Sequence, residues 1–216
     1  MSDLSYKTIS GPAKAELIVQ KSRFIGCAAP VETQEQALRY LHDIKSSYPD
    51  ATHHCNAYIL GNNAGIMRYS DDGEPSGTAG IPILEVLKMK SLVNACVVVV
   101  RYFGGTLLGA GGLVRAYTKS SAQALNDTHV VMMEPSLRLV AQLPYPMWDL
   151  LQRRLAEMQV IVEHTDYGAD VRVTLVMRQS DEKQVESRLI QYSEGRVQLD
   201  IQEKMFYAWQ ISQDKT

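Results

Sequence analysis

"VNACVVVVRYFGGTLLGAGGLVRAY", residues 93–117, is the stretch on which the fold turns. Its first part, "ACVVVV", is an unbroken run of small and β-branched side chains. It is far shorter than the roughly 20 residues of a bilayer span and has the pattern of a strand buried on both faces. Gly104, Gly105, Gly109, Gly111 and Gly112 follow, and they allow the backbone to turn tightly or approach another group closely. From Gly112 to Asn126, Leu113, Tyr117 and Ala124 fall on one side of a helix. Strand, glycine loop and helix in that order predict mixed α and β structure.

Working outward, "AELIVQKSRFIGCAA" holds two apolar runs broken near Lys21, the pattern of a bent strand or a hairpin. Thr33 and Gln36 form a capping-box pair, and Ala37, Tyr40, Leu41 and Ile44 keep helical spacing until "YPD" stops them. "HHCNAYIL" and "IMRYS" flank "GNNAG", which predicts an antiparallel hairpin. "GIPILEVLKMK" predicts a helix with Pro82 in its first turn, where a missing amide hydrogen costs little.

Beyond "MEPS" the pattern restarts. Strands at 137–143, 159–164, 171–177 and 196–202 with helices at 147–158 and 181–192 spell βαββαβ, the ferredoxin-like order. The expectation is an α+β protein of two domains, residues 1–135 and 136–216, with the boundary at Glu134 to Ser136. The residues after Met205 are expected to form a tail carrying Phe206, Tyr207 and Trp209.

The net charge of −2 argues against coating nucleic acid by bulk electrostatics, and so against a general DNA binder. Distribution matters more. Between Val86 and Asn126 there is no acid, whereas Lys88, Lys90, Arg101, Arg115 and Lys119 give a local excess of five positive charges. Cys27, Cys55 and Cys96 are odd in number and far apart, which suits free thiols in a reducing cytoplasm better than a disulfide framework. No secretory leader or transmembrane run is legible, so a cytoplasmic protein without a membrane partner is expected.

Three segments carry potential chemistry. Glycines ahead of a helix present free amide donors to an anion, and Arg115 and Lys119 lie one turn apart on that helix. Equally, glycines serve tight helix–strand packing. "YSDDGEPSGTAG", residues 69–80, gathers Asp71, Asp72 and Glu74 in a loop. They would either hold a metal, or cap the following turn while Glu74 pairs with an arginine. In "HHC", His53 and Cys55 share one strand face and His54 takes the other, too few convergent ligands for zinc.

The motifs "KSRFIG", "HHCNAYIL", "SDDGEPSGTAG" and "VVVVRYFGGTLLGAGGLVRAY", in this order and spacing, resemble the YigZ/IMPACT family. That resemblance implies a first domain with the β/α fold of ribosomal and ribonuclease PH-type domains, and a second similar to a domain of elongation factor G. It also implies a link to translation. The functional expectation is a non-catalytic protein, with no cofactor and no metal, that binds RNA or the ribosome and translation machinery. Its phosphate contacts would come from Lys21, Arg23, Arg101, Gly104, Gly105, Gly109, Gly111, Gly112, Arg115 and Lys119. One alternative is a metal-assisted hydrolase of a phosphate or acyl compound using His54, Asp71, Asp72 and Glu74. Another is a pure protein-interaction module. A dipeptidase with two metals does not fit five histidines of which two are adjacent on opposite strand faces.

Overall fold

The computed structural model describes residues 5–210. They form ten strands, the first of them β1 (Tyr6–Ile9), and five α-helices, divided between two compact units. One takes residues up to 132 together with the end of the last strand, and the other takes residues 133–207.

The first unit is built on a sheet ordered β2-β3-β6-β4-β5, from β2 (Ala13–Val19), β3 (Ser22–Pro30), β4 (His53–Leu60), β5 (Ile66–Ser70) and β6 (Ala95–Tyr102). Every neighbouring pair is antiparallel. β6 lies at the centre and is buried on both faces, as its valine run predicts. Ala95, Val97 and Val99 pack under α2 (Gly80–Met89) and α3 (Gly109–Asn126), with Phe24, Ala57, Leu87 and Tyr117. Cys96 and Val98 face α1 (Gln34–Ser47), with Tyr58, Leu60 and Ala37. Each fully buried valine contributes roughly 1.5–3 kcal/mol, so this strand anchors both layers.

The hairpin read across "GNNAG" is present, and of the two readings at Lys21, bent strand or hairpin, the structure takes the hairpin. β2 and β3 meet through Gln20 and Lys21, both at positive φ (44° and 66°), the combination a two-residue type I′ turn requires. β4 and β5 flank the "GNNAG" turn, where the Gly61 amide donates to Asn94 Oδ1. Thr33 Oγ1 accepts from the Gln36 amide at the start of α1. α3 begins at Gly109, one turn earlier than the apolar spacing indicated. Its first residues are glycine and alanine and carry no side-chain signal.

The second unit contains most of β7 (Val130–Leu143), then α4 (Tyr145–Leu155), β8 (Ile161–Tyr167), β9 (Val171–Arg178), α5 (Glu182–Tyr192) and β10 (Gln198–Gln210). Its strand order, β10-β7-β9-β8, together with βαββαβ connectivity is the ferredoxin-like arrangement. Leu137, Leu139, Ala141 and Leu143 alternate onto the helix-covered face with Trp148, Leu151, Val173, Leu175 and Leu189. The other face mixes Arg138, Gln142, Arg172 and Thr174 with Val140 and Val176, and Arg138 bridges Glu163 and Glu203. Residues 134–136, where the domain boundary was expected, lie inside β7. Residues 206–210, expected in a tail, extend β10 instead, and Trp209 is buried. Met205, Tyr207 and Trp209 fall at every second position and are less exposed than their neighbours, the period of a strand. Residues 211–216 of that tail lie outside the described part. Among the described residues no helix is long and apolar enough to cross a membrane.

Candidate functional site

The acidic loop and the glycine loop, separated by a helix and a strand in sequence, meet at one end of the first unit. Together with β4 and β6 they line an open cavity of about 430 Å³, among whose walls are His53, Glu74, Arg101, Phe103, Leu107 and Gly109.

Asp71 shapes the acidic loop. Its Oδ1 accepts from the amides of Ala79 and Gly80, at 3.0 and 2.8 Å, and its Oδ2 from that of Gly77 at 2.9 Å. Ala79 and Gly80 open α2, so Asp71 caps that helix from eight residues upstream, in place of the missing local cap. Burial acts to raise the Asp71 pKa, but the donors of Gly77, Gly80 and Ala79 outweigh it and hold the carboxyl below its ordinary value. A depressed carboxylate contributes stability that is complete above its unfolded pKa and is lost as pH falls through the folded one. Asp71→Asn should therefore cost about 1 kcal/mol near neutrality, the difference between charge-assisted and neutral bonds. Thermal melts from neutral to acid pH should show that gap constant above about pH 5 and closing below. A gap that widens on acidification would contradict this role.

Asp72, at φ 44°, is held from three directions. Its Oδ2 accepts from the His54 amide at 2.7 Å, its Oδ1 from Lys45 Nζ at 3.2 Å, and its carbonyl lies 2.8 Å from His53 Nδ1. Glu74 turns inward. Its side chain is only 3% exposed, and its Oε1 accepts from Arg101 Nη1 at 2.6 Å and from Tyr117 Oη at 2.7 Å. Arg101 is packed between the rings of Phe24 and Phe103, at 5.3 and 5.6 Å from their centroids, and also reaches Ser22 Oγ. Phe24 in turn meets the Tyr117 ring edge to face at 5.3 Å. Burial, followed by the neighbouring Cys55 and Glu74, raises the Tyr117 pKa far above its ordinary value, so the phenol stays a donor.

These positions change the expected site. Arg101, expected on phosphate, is a buried counter-ion instead. It follows Val97 and Val99 in strand parity and so points beneath α2 and α3. The three carboxylates of the hydrolase reading are engaged by protein donors, and among the described residues no three His, Cys, Asp or Glu side chains group around a metal position. His54 faces away from the cavity, with Nε2 2.9 Å from the Tyr48 carbonyl. His53 lines the cavity in its place, as strand alternation foretold for its face. Cys55 lies 2.9 Å from the Asp71 carbonyl, and burial, aided by the nearby acids, pushes its thiol to about 12, which removes it as a nucleophile.

The remaining basic residues are on the surface. Lys21, Arg115 and Lys119 are exposed, with no ion pair among the described residues. Arg23 pairs with Glu16 at 2.8 Å in the open and lies over the Tyr102 ring. Gly104 sits so close to the β2–β3 turn that a Cβ would stand 2.1 Å from the Lys21 carbonyl carbon, and its amide donates to Ser22 Oγ. Gly105 and Gly109 take positive φ, 80° and 68°, while Gly111 and Gly112 lie in the first turn of α3. That helix start has Leu108 as its cap residue and no side-chain cap bond. Phe103 and Leu107, unremarked in the sequence reading, stand exposed on the cavity rim, 47% and 86% accessible.

Comparison with known proteins matches this architecture. Residues 20–125 match the Impact N-terminal domain, and residues 142–196 match a domain of unknown function, DUF1949. A crystal structure of a hypothetical protein superposes with a TM-score of 0.61 at 31% identity, covering 94% of this chain and 99% of the other. The IMPACT family member YigZ of Escherichia coli is 33% identical over 84% of this chain and 90% of its own length. The IMPACT family member YvyE of Bacillus subtilis is 37% identical over 89% of this chain and 88% of its own. Kinship at this level along nearly the whole length, through both units, makes the chain a member of the IMPACT family.

Proposed function

We propose that the protein binds RNA or a ribosomal surface through the glycine-loop side of its first unit, in a translation-linked role and without catalysing a reaction. The observation that carries this reading is a sorting of charge. Asp71, Asp72 and Glu74 are each bound by protein donors, whereas Lys21, Arg115 and Lys119 stand exposed with no ion-pair partner among the described residues, Arg115 and Lys119 one turn apart on α3, whose start carries no side-chain cap. Free amides at a helix start and unpaired cations both favour phosphate. Phe103, exposed beside them, offers a face on which a base can stack without regard to its identity. Arg23 adds a weaker contact, because its exposed pair with Glu16 is worth little and yields to phosphate. Such contacts position a nucleic acid rather than read its sequence.

Ultraviolet crosslinking in cells, with sequencing of bound RNA and mass spectrometry of the modified peptides, tests the proposal. Adducts should map to residues 101–119 and the 20–23 turn. Adducts confined to residues 133–207, or recovery only of proteins unconnected with the ribosome and no RNA, would overturn it.

A further inference from the structure

The sheet of the first unit ends at β2 on one side and at β5 on the other. Every second residue of an end strand turns its backbone N–H and C=O away from the sheet, where another strand can pair with them. Exposed charges discourage such pairing on the end strands β2, with Lys14 and Glu16, and β8, with Glu163, His164 and Asp166. β5, "IMRYS", differs. All five of its residues are exposed, Ile66, Met67 and Tyr69 are large and apolar, and its single charge is Arg68. Met67 and Tyr69 pair with Ile59 and Ala57 of β4 and so lie on the α2 side, whereas Arg68 pairs with Tyr58 and lies on the α1 side. The first turn of α2 touches this edge, since a Cβ on Gly80 would stand 2.9 Å from the Tyr69 ring, and Ile81 beside it is exposed as well. Arg68 meets no carboxylate among the described residues, and its Nη1 donates to the Met67 carbonyl of its own strand at 2.9 Å.

A strand edge, two apolar side chains on one face and a lone cation on the other define what covers them. We propose that β5 takes an extended segment of a partner protein as a sixth strand of the sheet, with an acidic residue opposite Arg68 and apolar residues opposite Met67 and Tyr69. Backbone hydrogen bonds supply the affinity of such strand addition, and the alternate side chains supply its selectivity. Arg68 exchanges its bond to the Met67 carbonyl for a cross-strand ion pair. A second copy of this chain fits poorly. Antiparallel pairing of β5 with itself over all five residues sets Arg68 against Arg68, and like charges directly opposite repel. The site is separate from the basic face, because α3, which carries Arg115 and Lys119, packs on β2 and β3 toward the far edge of the sheet. The inference therefore goes beyond the RNA-binding reading and does not rest on it.

Fluorescence anisotropy of the full chain with a labelled, end-capped peptide, Ser-Thr-Ile-Glu-Ile-Thr-Ser, tests the proposal. In antiparallel register its Glu faces Arg68 and its two Ile face Met67 and Tyr69. Wild type should bind it, and replacing that Glu by Lys should weaken binding about fivefold, the order of a cross-strand charge pair. Arg68→Glu, at an exposed position, should melt like wild type and invert the preference, favouring the lysine peptide about fivefold. N-methylation of alternate peptide amides should abolish binding in one parity and spare it in the other, since only one edge of an added strand faces β5. No binding of the peptide, a preference that Arg68→Glu leaves unchanged, or equal effects of the two methylation parities would overturn the proposal. A dimer of the protein alone in sedimentation, lost in Met67→Lys, would overturn it in favour of a second copy. RNA affinity that falls in Arg68→Glu would overturn it by joining this edge to the nucleic-acid surface. Peptide binding with the charge inversion, in a protein that binds no RNA, supports this edge and rejects the RNA reading instead.

Discussion

Arg101→Met should destabilise the first unit by about 3–5 kcal/mol, because it leaves the Glu74 carboxylate buried without its cation. Adding Glu74→Gln to it should recover a large part of that loss. The two side chains are only 6% and 3% exposed, so water cannot take over the role of either partner. The arginine also gives up its place between Phe24 and Phe103, a cation–π arrangement worth about 1–2 kcal/mol in a desolvated site. Urea denaturation of the two single variants and the double variant measures the coupling. Single losses below about 1 kcal/mol, or strictly additive losses, would mean that the pair is a surface contact in solution.

Gly104→Ala should lower stability by about 2–3 kcal/mol, near the top of the range for overpacking. A methyl group there would stand 2.1 and 2.3 Å from the Lys21 carbonyl carbon and oxygen, and both are backbone atoms at the tip of a tight hairpin. Neither side relaxes cheaply, since Lys21 already occupies positive φ. Gly111→Ala, one helical turn into the same motif, should change stability in the opposite direction by about 0.5 kcal/mol. Its Cβ would meet only the flexible end of Arg115 at 3.5 Å, and alanine suits a helix better. Thermal melts of both variants check the pair of signs. A neutral Gly104→Ala would show that the glycine loop does not pack on the β2–β3 turn.

The contrast between these glycines shows what the sequence makes legible. The run "VVVV" announces a strand buried on both faces because no polar residue interrupts either parity, and β6 is that strand. The six elements after "MEPS" announce the ferredoxin-like order because their periods alternate in the sequence βαββαβ, with the turns "TDYGAD" and "SEG" between them. The pairing of Glu74 with an arginine and the capping role of Asp71 were also readable from loop chemistry. Which arginine takes part was not evident, since Arg101 and Glu74 are 27 positions apart and Tyr117 is 43 from Glu74. Strand parity did contain the answer, because Arg101 shares a face with Val97 and Val99 and must meet a counter-ion inside. Crowding at Gly104 and exposure at Phe103 arise only when two distant loops close on each other, and no local pattern encodes that.

Affinity for a single-stranded RNA measured against salt concentration, for wild type and for Arg115→Ala combined with Lys119→Ala, tests the central claim most directly. Each phosphate contact releases counter-ions and contributes about 0.7 to the slope of log affinity against log salt for a single strand. The double variant should bind all sequences more weakly and flatten the slope by about two such contacts, near 1.4. An unchanged slope with unchanged affinity would contradict the account, placing the basic face of α3 in plain solvent and the partner of this protein elsewhere.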